Sequence, residues 1–198
     1  MATGERVFNE IHCTTCHVPA LPLDKKGWIY SEPGPYNPSG NLRRTAARVL
    51  EVDLTSPTWT QPRLAPSHED PTVMNVPAYT DFKLHDITDP DDETGSEPLD
   101  MNQLVGSPKF LAGNREFLTR RLWGAANEPP YFHHGLFTTM RQAVLAHAGE
   151  ALEQRRAFEH LTKVEQDALI EFLKSLQVLP PGTKDLVVDE HYRPKAWR

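Results

Sequence analysis

At 198 residues, 38% hydrophobic and with 18 prolines, the chain is long enough for one domain with a core, yet it carries more extended, loop-rich sequence than such a core needs. A formal net charge of −6 and a pI near 5.8 leave no basic footprint for nucleic acid and no polybasic patch for anionic lipid. No apolar run approaches the roughly 20 residues that cross a bilayer, and the only two cysteines, Cys13 and Cys16, exclude a disulfide framework.

Residues 4–12 place Val7, Phe8 and Ile11 at spacings of three and four, which predicts a helix, with Gly4 positioned to let a second helix approach closely. Met1-Ala2-Thr3-Gly4 leads straight into that helix without an export signal. Cys13-Thr14-Thr15-Cys16-His17 follows at once. Two thiols three residues apart with an adjacent imidazole form the attachment signature of a c-type haem. The sulfurs bond to the porphyrin vinyl groups and the ring nitrogen then lies under the iron. On this reading Cys13 and Cys16 hold one covalent haem c and His17 is an axial iron ligand. Its other ring nitrogen is expected to donate to a backbone carbonyl near Pro19. Covalent haem is attached outside the cytoplasm, so a periplasmic or other extracytoplasmic location is expected, with the export signal missing from this N-terminus. Structural zinc would need two more ligands at finger spacing, and a thioredoxin-like pair would need a βαβ context. The sequence offers neither.

From Val18 to about Phe110 helical periodicity fails, because prolines from Pro19 to Pro77 interrupt it repeatedly. Two short strands are predicted, at 48–54 and 79–87, as a hairpin or small sheet inside an inserted loop region. Residues 89–100 form an acidic, turn-rich stretch. Its spacing matches no calcium loop, so a solvated loop is expected there rather than a calcium site.

The C-terminal half is more regular. Thr139-Met140-Arg141-Gln142 has capping-box form, and Met140, Ala143, Val144 and His147 follow at helical spacing before a stop at Gly149. A second helix is predicted over 150–160. Thr162-Lys163-Val164-Glu165 opens a third, whose apolar face is Val164, Ala168, Leu169, Phe172, Leu173 and Leu176. This last helix is expected to cross the first and close the protein around the haem. The fold expected is mostly α: a single cytochrome c-like helical domain over 1–177 around a covalent haem, with a long Pro-rich loop and short-strand insertion at about 18–110. An extended tail is expected over 178–198. Met140 and His147 compete for the sixth iron position, with His85, His133, His134, Met74 and Met101 as outside candidates. The choice matters, since Met ligation raises the reduction potential relative to bis-His.

The stretch from Phe117 to Gly135, Phe-Leu-Thr-Arg-Arg-Leu-Trp-Gly-Ala-Ala-Asn-Glu-Pro-Pro-Tyr-Phe-His-His-Gly, with the following Leu-Phe-Thr-Thr-Met-Arg-Gln-Ala-Val-Leu-Ala-His-Ala-Gly-Glu-Ala, resembles the second half of di-haem oxidoreductases. These belong to the bacterial di-haem cytochrome c peroxidase superfamily, and the branch resembled is the thiol oxidoreductase-like one. Val76 to Asp86 is similar to that branch's Tyr-Thr-Asp-x-x-Leu-His-Asp segment. The resemblance covers most of 4–177. In the peroxidases a ligating methionine stands at the position of His147, so histidine here implies bis-His ligation through His17 and His147 and demotes Met140. Family members usually carry two haem domains, so a single attachment motif places any peroxidatic site in another half or a partner. His134 departs from the usual aspartate, and Arg120-Arg121 from a Pro-rich pair. Arg121, Trp123, Tyr131 and His133 become candidates for packing on the haem edge or binding its propionates. The function implied is one-electron transfer by a c-type cytochrome. The alternative is a peroxidase- or oxygenase-like haem enzyme, or half of one, with an open iron site. The implied partner is a redox protein, a second haem domain, or further copies in a multihaem assembly, with no nucleic acid and no membrane insertion.

Overall fold

Apolar residues at three- and four-residue spacing near the N-terminus do form a helix, α1 (Ala2–Glu10), and it runs into a 3-10 turn at Cys13–Thr15 that carries the first thiol. The computed structural model describes residues 2–23, 28–34, 37–41, 50–56, 58–59, 62–89 and 96–178. The extended tail expected over 178–198 lies outside these residues from 179 onward, as do residues 90–95 of the acidic stretch 89–100. The chain divides into two compact units, Met1–Ala20 with Ala78–Gln177, and Leu21–Pro77 with Val178–Arg198.

In the second unit prolines keep every element short. β1 (Leu21–Leu23), β4 (Ala65–Pro66) and β5 (Met74–Val76) form an antiparallel sheet in the order β1-β5-β4, while β2 (Ile29–Glu32) pairs with β3 (Leu50–Asp53). The strand predicted at 48–54 is therefore paired with a segment that the alternation of apolar residues did not reveal.

The first unit holds the core. β6 (Leu84–Asp86) realises only the end of the strand predicted at 79–87 and pairs antiparallel with β7 (Glu116–Leu118), with α2 (Pro108–Leu111) between them in sequence. Then come α3 (Met140–Leu145), α4 (Leu152–His160) and α5 (Lys163–Ser175). Both predicted capping boxes are present, Thr139 with Gln142 and Thr162 with Glu165. α1 packs on α5 so closely that a Cβ on Gly4 would collide with the Ala168 carbonyl and lie 2.6 Å from Phe172 Cβ. Val7, Phe8 and Ile11 meet Leu169, Ile170, Phe172, Leu173 and Leu176 there, and Tyr79, Met140 and Phe158 complete the cluster. Each such side chain contributes about 1.5–3 kcal/mol when buried. Val164, assigned to this face from the sequence, is exposed on α5 instead.

The mostly-α, cytochrome c-like expectation is overturned. Of the described residues 34% are helical, in five short α-helices and several 3-10 turns, and 17% are in three small antiparallel sheets and isolated bridges. The physical reason lies in the length of the elements. Prolines prevent helix over much of 18–110, where backbone groups pair across short strands instead. The helix expected to run to Gly149 stops at Leu145, because the Ala148 N–H leaves the helical ladder and donates to the Ile87 carbonyl at 3.1 Å.

Candidate metal centre

His17 and His147, far apart in sequence, are brought together in the first unit with their ring centroids 6.5 Å apart and their planes at 62°. The 3-10 turn at Cys13–Thr15 coils both thiols and the imidazole around one backbone loop, with the His17 N–H donating to the Cys13 carbonyl at 3.0 Å. Residues 18 and 19 then bond to 79 and 80: Thr80 N–H donates to the Val18 carbonyl at 3.0 Å and Tyr79 N–H to the Pro19 carbonyl at 3.4 Å. This holds Tyr79 at φ 52, a region that a bulky residue adopts only under constraint. Its carbonyl is thereby presented to His17 Nδ1 at 3.1 Å. His147, just past the end of α3, has its Nδ1 2.7 Å from the Ala143 carbonyl.

A carbonyl only accepts, so each Nδ1 carries its proton and donates, and each Nε2 keeps its lone pair. Burial, reinforced by the other imidazole, pushes the His17 pKa down to about 4, and burial lowers that of His147. Both rings are therefore neutral, the form that binds a metal. Their centroids are 6.5 Å apart. One metal ion bonded to an imidazole on either side at about 2.0–2.1 Å, with each centroid about 1.15 Å behind its nitrogen, requires about 6.3–6.5 Å.

Among the described residues no group of three or more His, Cys, Asp or Glu side chains could hold a metal ion. Two protein ligands suffice only for a metal that brings the rest of its coordination with it, as iron in a porphyrin does, and fall short of the four of structural zinc. The thiols agree. Burial raises the Cys13 pKa to about 12, and burial with the nearby Asp81 and Glu150 charges raises that of Cys16. A thiolate redox pair or zinc ligand would be shifted the other way. Cys13, Leu122, Trp123, Ala125, Tyr131 and Val144 each pack against the core cluster. The Trp123 Nε1 is buried with no hydrogen-bond partner, a donor without an acceptor of the kind that a haem carboxylate would satisfy.

The remaining candidates are placed elsewhere. Met140 is buried in the core cluster, Met101 is exposed, and Met74 lies in β5 of the other unit. His85 has Nε2 2.9 Å from Asp81 Oδ2 and Nδ1 2.8 Å from Glu150 Oε2, so both its nitrogens are engaged by carboxylates. The His133 ring stacks flat on Phe117 at 4.0 Å with its Nε2 3.6 Å from Glu97, and His134 Nδ1 accepts from the Leu136 N–H. Arg121 is exposed and lies 3.8 Å from Glu128. Tyr131 packs on the core, and its backbone N–H donates to the Phe137 carbonyl at 2.7 Å. Sequence reading missed the Tyr79 carbonyl, which it sought near Pro19, and also the Phe132 ring. Phe132 lies at φ 66 and packs edge-on to His147 at 5.3 Å and 85°.

Residues 72–176, more than half of the chain, match the family model described as "Di-haem oxidoreductase, putative peroxidase". No curated protein and no solved structure matches the chain.

Proposed function

The chain belongs to the di-haem oxidoreductase family, and from that premise we propose that it is an extracytoplasmic c-type cytochrome passing single electrons through one covalently held haem. Cys13 and Cys16 would hold the porphyrin, His17 and His147 would bind its iron, and the unpartnered Trp123 N–H would donate to a haem carboxylate. The observation that carries this reading is the imidazole pair itself: two neutral rings 6.5 Å apart, each with Nδ1 committed to a carbonyl. When bound, haem supplies a one-electron couple whose potential is set by ligand identity and burial.

The chain's own groups do the rest. The Tyr79 and Ala143 carbonyls fix both tautomers and make both Nε2 atoms better donors. Phe8, 6.4 Å from the His17 ring, and Phe132 against His147 restrict water around the two rings. Were both imidazoles bound to the iron, no position would be left for peroxide or oxygen, which favours electron transfer to a redox protein or second haem. The second reading, a peroxidase-like enzyme with an open iron position, draws on the family description and requires His147 to stand away from the metal.

Electron paramagnetic resonance of the ferric protein separates the two. Electron transfer predicts a low-spin signal unmoved by cyanide or peroxide, with conversion to a reactive high-spin form in His147→Ala. A wild-type protein that is already high-spin and reacts rapidly with peroxide would overturn the proposal.

A further inference from the structure

A cavity of about 370 Å³ opens within the first unit, large enough for a small organic molecule. Its apolar walls are Ile87, Phe132, Phe137, Leu145 and Ala146, and its polar groups include His134, Gln142 and Arg155. Cys13, Cys16, His17 and His147 are not among the described residues that line it, so it is distinct from the space between the two imidazoles. Phe132 joins the two sites, because the ring that lines the cavity also packs edge-on to His147 at 5.3 Å. Residues 131–137 build one side. The Tyr131 N–H closes this turn on the Phe137 carbonyl at 2.7 Å, and Phe132 is held inside it at φ 66. Three rings meet there: Phe132 and Phe137 at 5.2 Å and 79°, Phe132 and His134 at 5.8 Å and 17°, and His134 and Phe137 at 5.3 Å and 67°. Bulky residues held in left-handed backbone gather at ligand clamps, and a corner of rings favours a flat ligand set against their faces and edges.

The polar groups set what such a ligand must carry. His134 Nδ1 accepts from the Leu136 N–H at 3.1 Å, so its proton is on Nε2 and that atom donates. Gln142 Oε1 accepts from the Thr138 and Thr139 N–H groups at 3.1 and 3.0 Å, which leaves the amide nitrogen to donate. The Arg155 Nε is buried with no hydrogen-bond partner among the described residues. A buried donor in that state is costly until an acceptor reaches it. Charge argues against an anion as that acceptor. The Asp89 and Glu159 carboxylates already lie 3.9 and 3.8 Å from the Arg155 guanidinium, too far to hydrogen-bond but close enough to balance its charge. What fits is an uncharged acceptor, a carbonyl oxygen carried on a flat apolar body.

We propose that this cavity binds a small uncharged aromatic carbonyl compound, whose oxygen accepts from the Arg155 Nε–H and whose ring packs against Phe132 and Phe137. The site does not depend on the function proposed above for the imidazole pair. Isothermal titration calorimetry of the haem-loaded protein tests it, with acetophenone, toluene and benzoate as probes. Acetophenone should bind at one site per chain, about tenfold more tightly than toluene, which lacks the acceptor, and than benzoate, whose charge meets Asp89 and Glu159. Arg155→Met removes the donor and keeps an unbranched side chain. It should weaken acetophenone about tenfold and leave toluene unchanged. Leu145→Trp puts bulk into the cavity without touching the donor, and should weaken acetophenone and toluene alike. Circular dichroism and haem absorbance of each variant report folding and the metal centre separately from binding. Absence of acetophenone binding, toluene or benzoate binding at least as tightly, or an acetophenone affinity unchanged in both folded variants would each refute the proposal.

Discussion

A buried N–H with no acceptor costs about 1–3 kcal/mol, and the Trp123 Nε1 carries that cost in the polypeptide alone. If a haem carboxylate is its acceptor, Trp123→Phe removes the donor while keeping a large ring. The loaded variant should then lose about 1–2 kcal/mol in denaturant unfolding. Its midpoint potential should also fall, because the carboxylate charge is less compensated. Equal potentials in a redox titration would show that the indole plays no such part. At this scale the sequence was most readable where chemistry needs a particular side chain. Cys13, Cys16 and His17 stood out by residue type and spacing and His147 by the family resemblance, and the structure brings the two imidazole centroids to 6.5 Å. The groups that set the tautomers were invisible, because the Tyr79 and Ala143 acceptors are backbone carbonyls that any residue would supply. His85 looked like a ligand for the same reason that made it a clamp: its two nitrogens can each meet a carboxylate, and the fold brings Asp81 and Glu150 to them.

The elements that declare themselves locally were predicted with their caps, as α3 and α5 show through Thr139 and Thr162. What could not be read was the competition at the end of α3. Gly149 looks like a helix stop, but its requirement is more specific: φ is 53, and a Cβ would strike the Asp86 carbonyl while lying 3.2 Å from that of Thr88. This contact seats the chain after His147 against the end of β6. Gly149→Ala should therefore destabilise the protein by several kcal/mol, about 1–3 from the backbone conformation alone. It should also perturb the low-spin signal, since the segment that carries His147 has to shift. Thermal unfolding followed by circular dichroism, together with the ferric spectrum, checks both. A variant with unchanged melting and an unchanged signal would show that this approach is not what places the imidazole. The mostly-α expectation failed by the same mechanism at larger size, since β7 has so little alternation that only its partner β6 makes it a strand.

For the molecule as a whole, the Asp81–His85–Glu150 clamp makes stability depend on pH from both sides. Hydrogen bonds to Glu150 and Asp81 raise the His85 pKa above its ordinary 6.5, so its contribution is complete below about that pH and is lost as pH rises through the raised value. Asp81, brought down to about 2 by hydrogen bonds from Lys83, His85 and Thr119 that outweigh its burial, contributes fully above its ordinary 3.8 and loses this as pH falls. Glu150, lowered mainly by its bond to His85, behaves likewise from 4.5 downward. Urea unfolding of wild type and His85→Leu should thus differ most near pH 5–6 and converge in mildly alkaline solution. A constant difference across that range would mean that the ring matters only for packing. The α1–α5 crossing also bears on how the protein matures. It joins residues around Gly4 to residues around Ala168, a contact between the two ends of the described chain that is slow to form because a very long loop must close first. Until α1 and α5 meet, the unclosed chain exposes Cys13 and Cys16, whereas the closed fold holds the Cys13 thiol buried and protonated. Thiol chemistry proceeds through the thiolate, so if a haem is joined to these sulfurs as proposed above, the interval before the ends meet is when it would be joined most readily, and slow closure keeps that interval open.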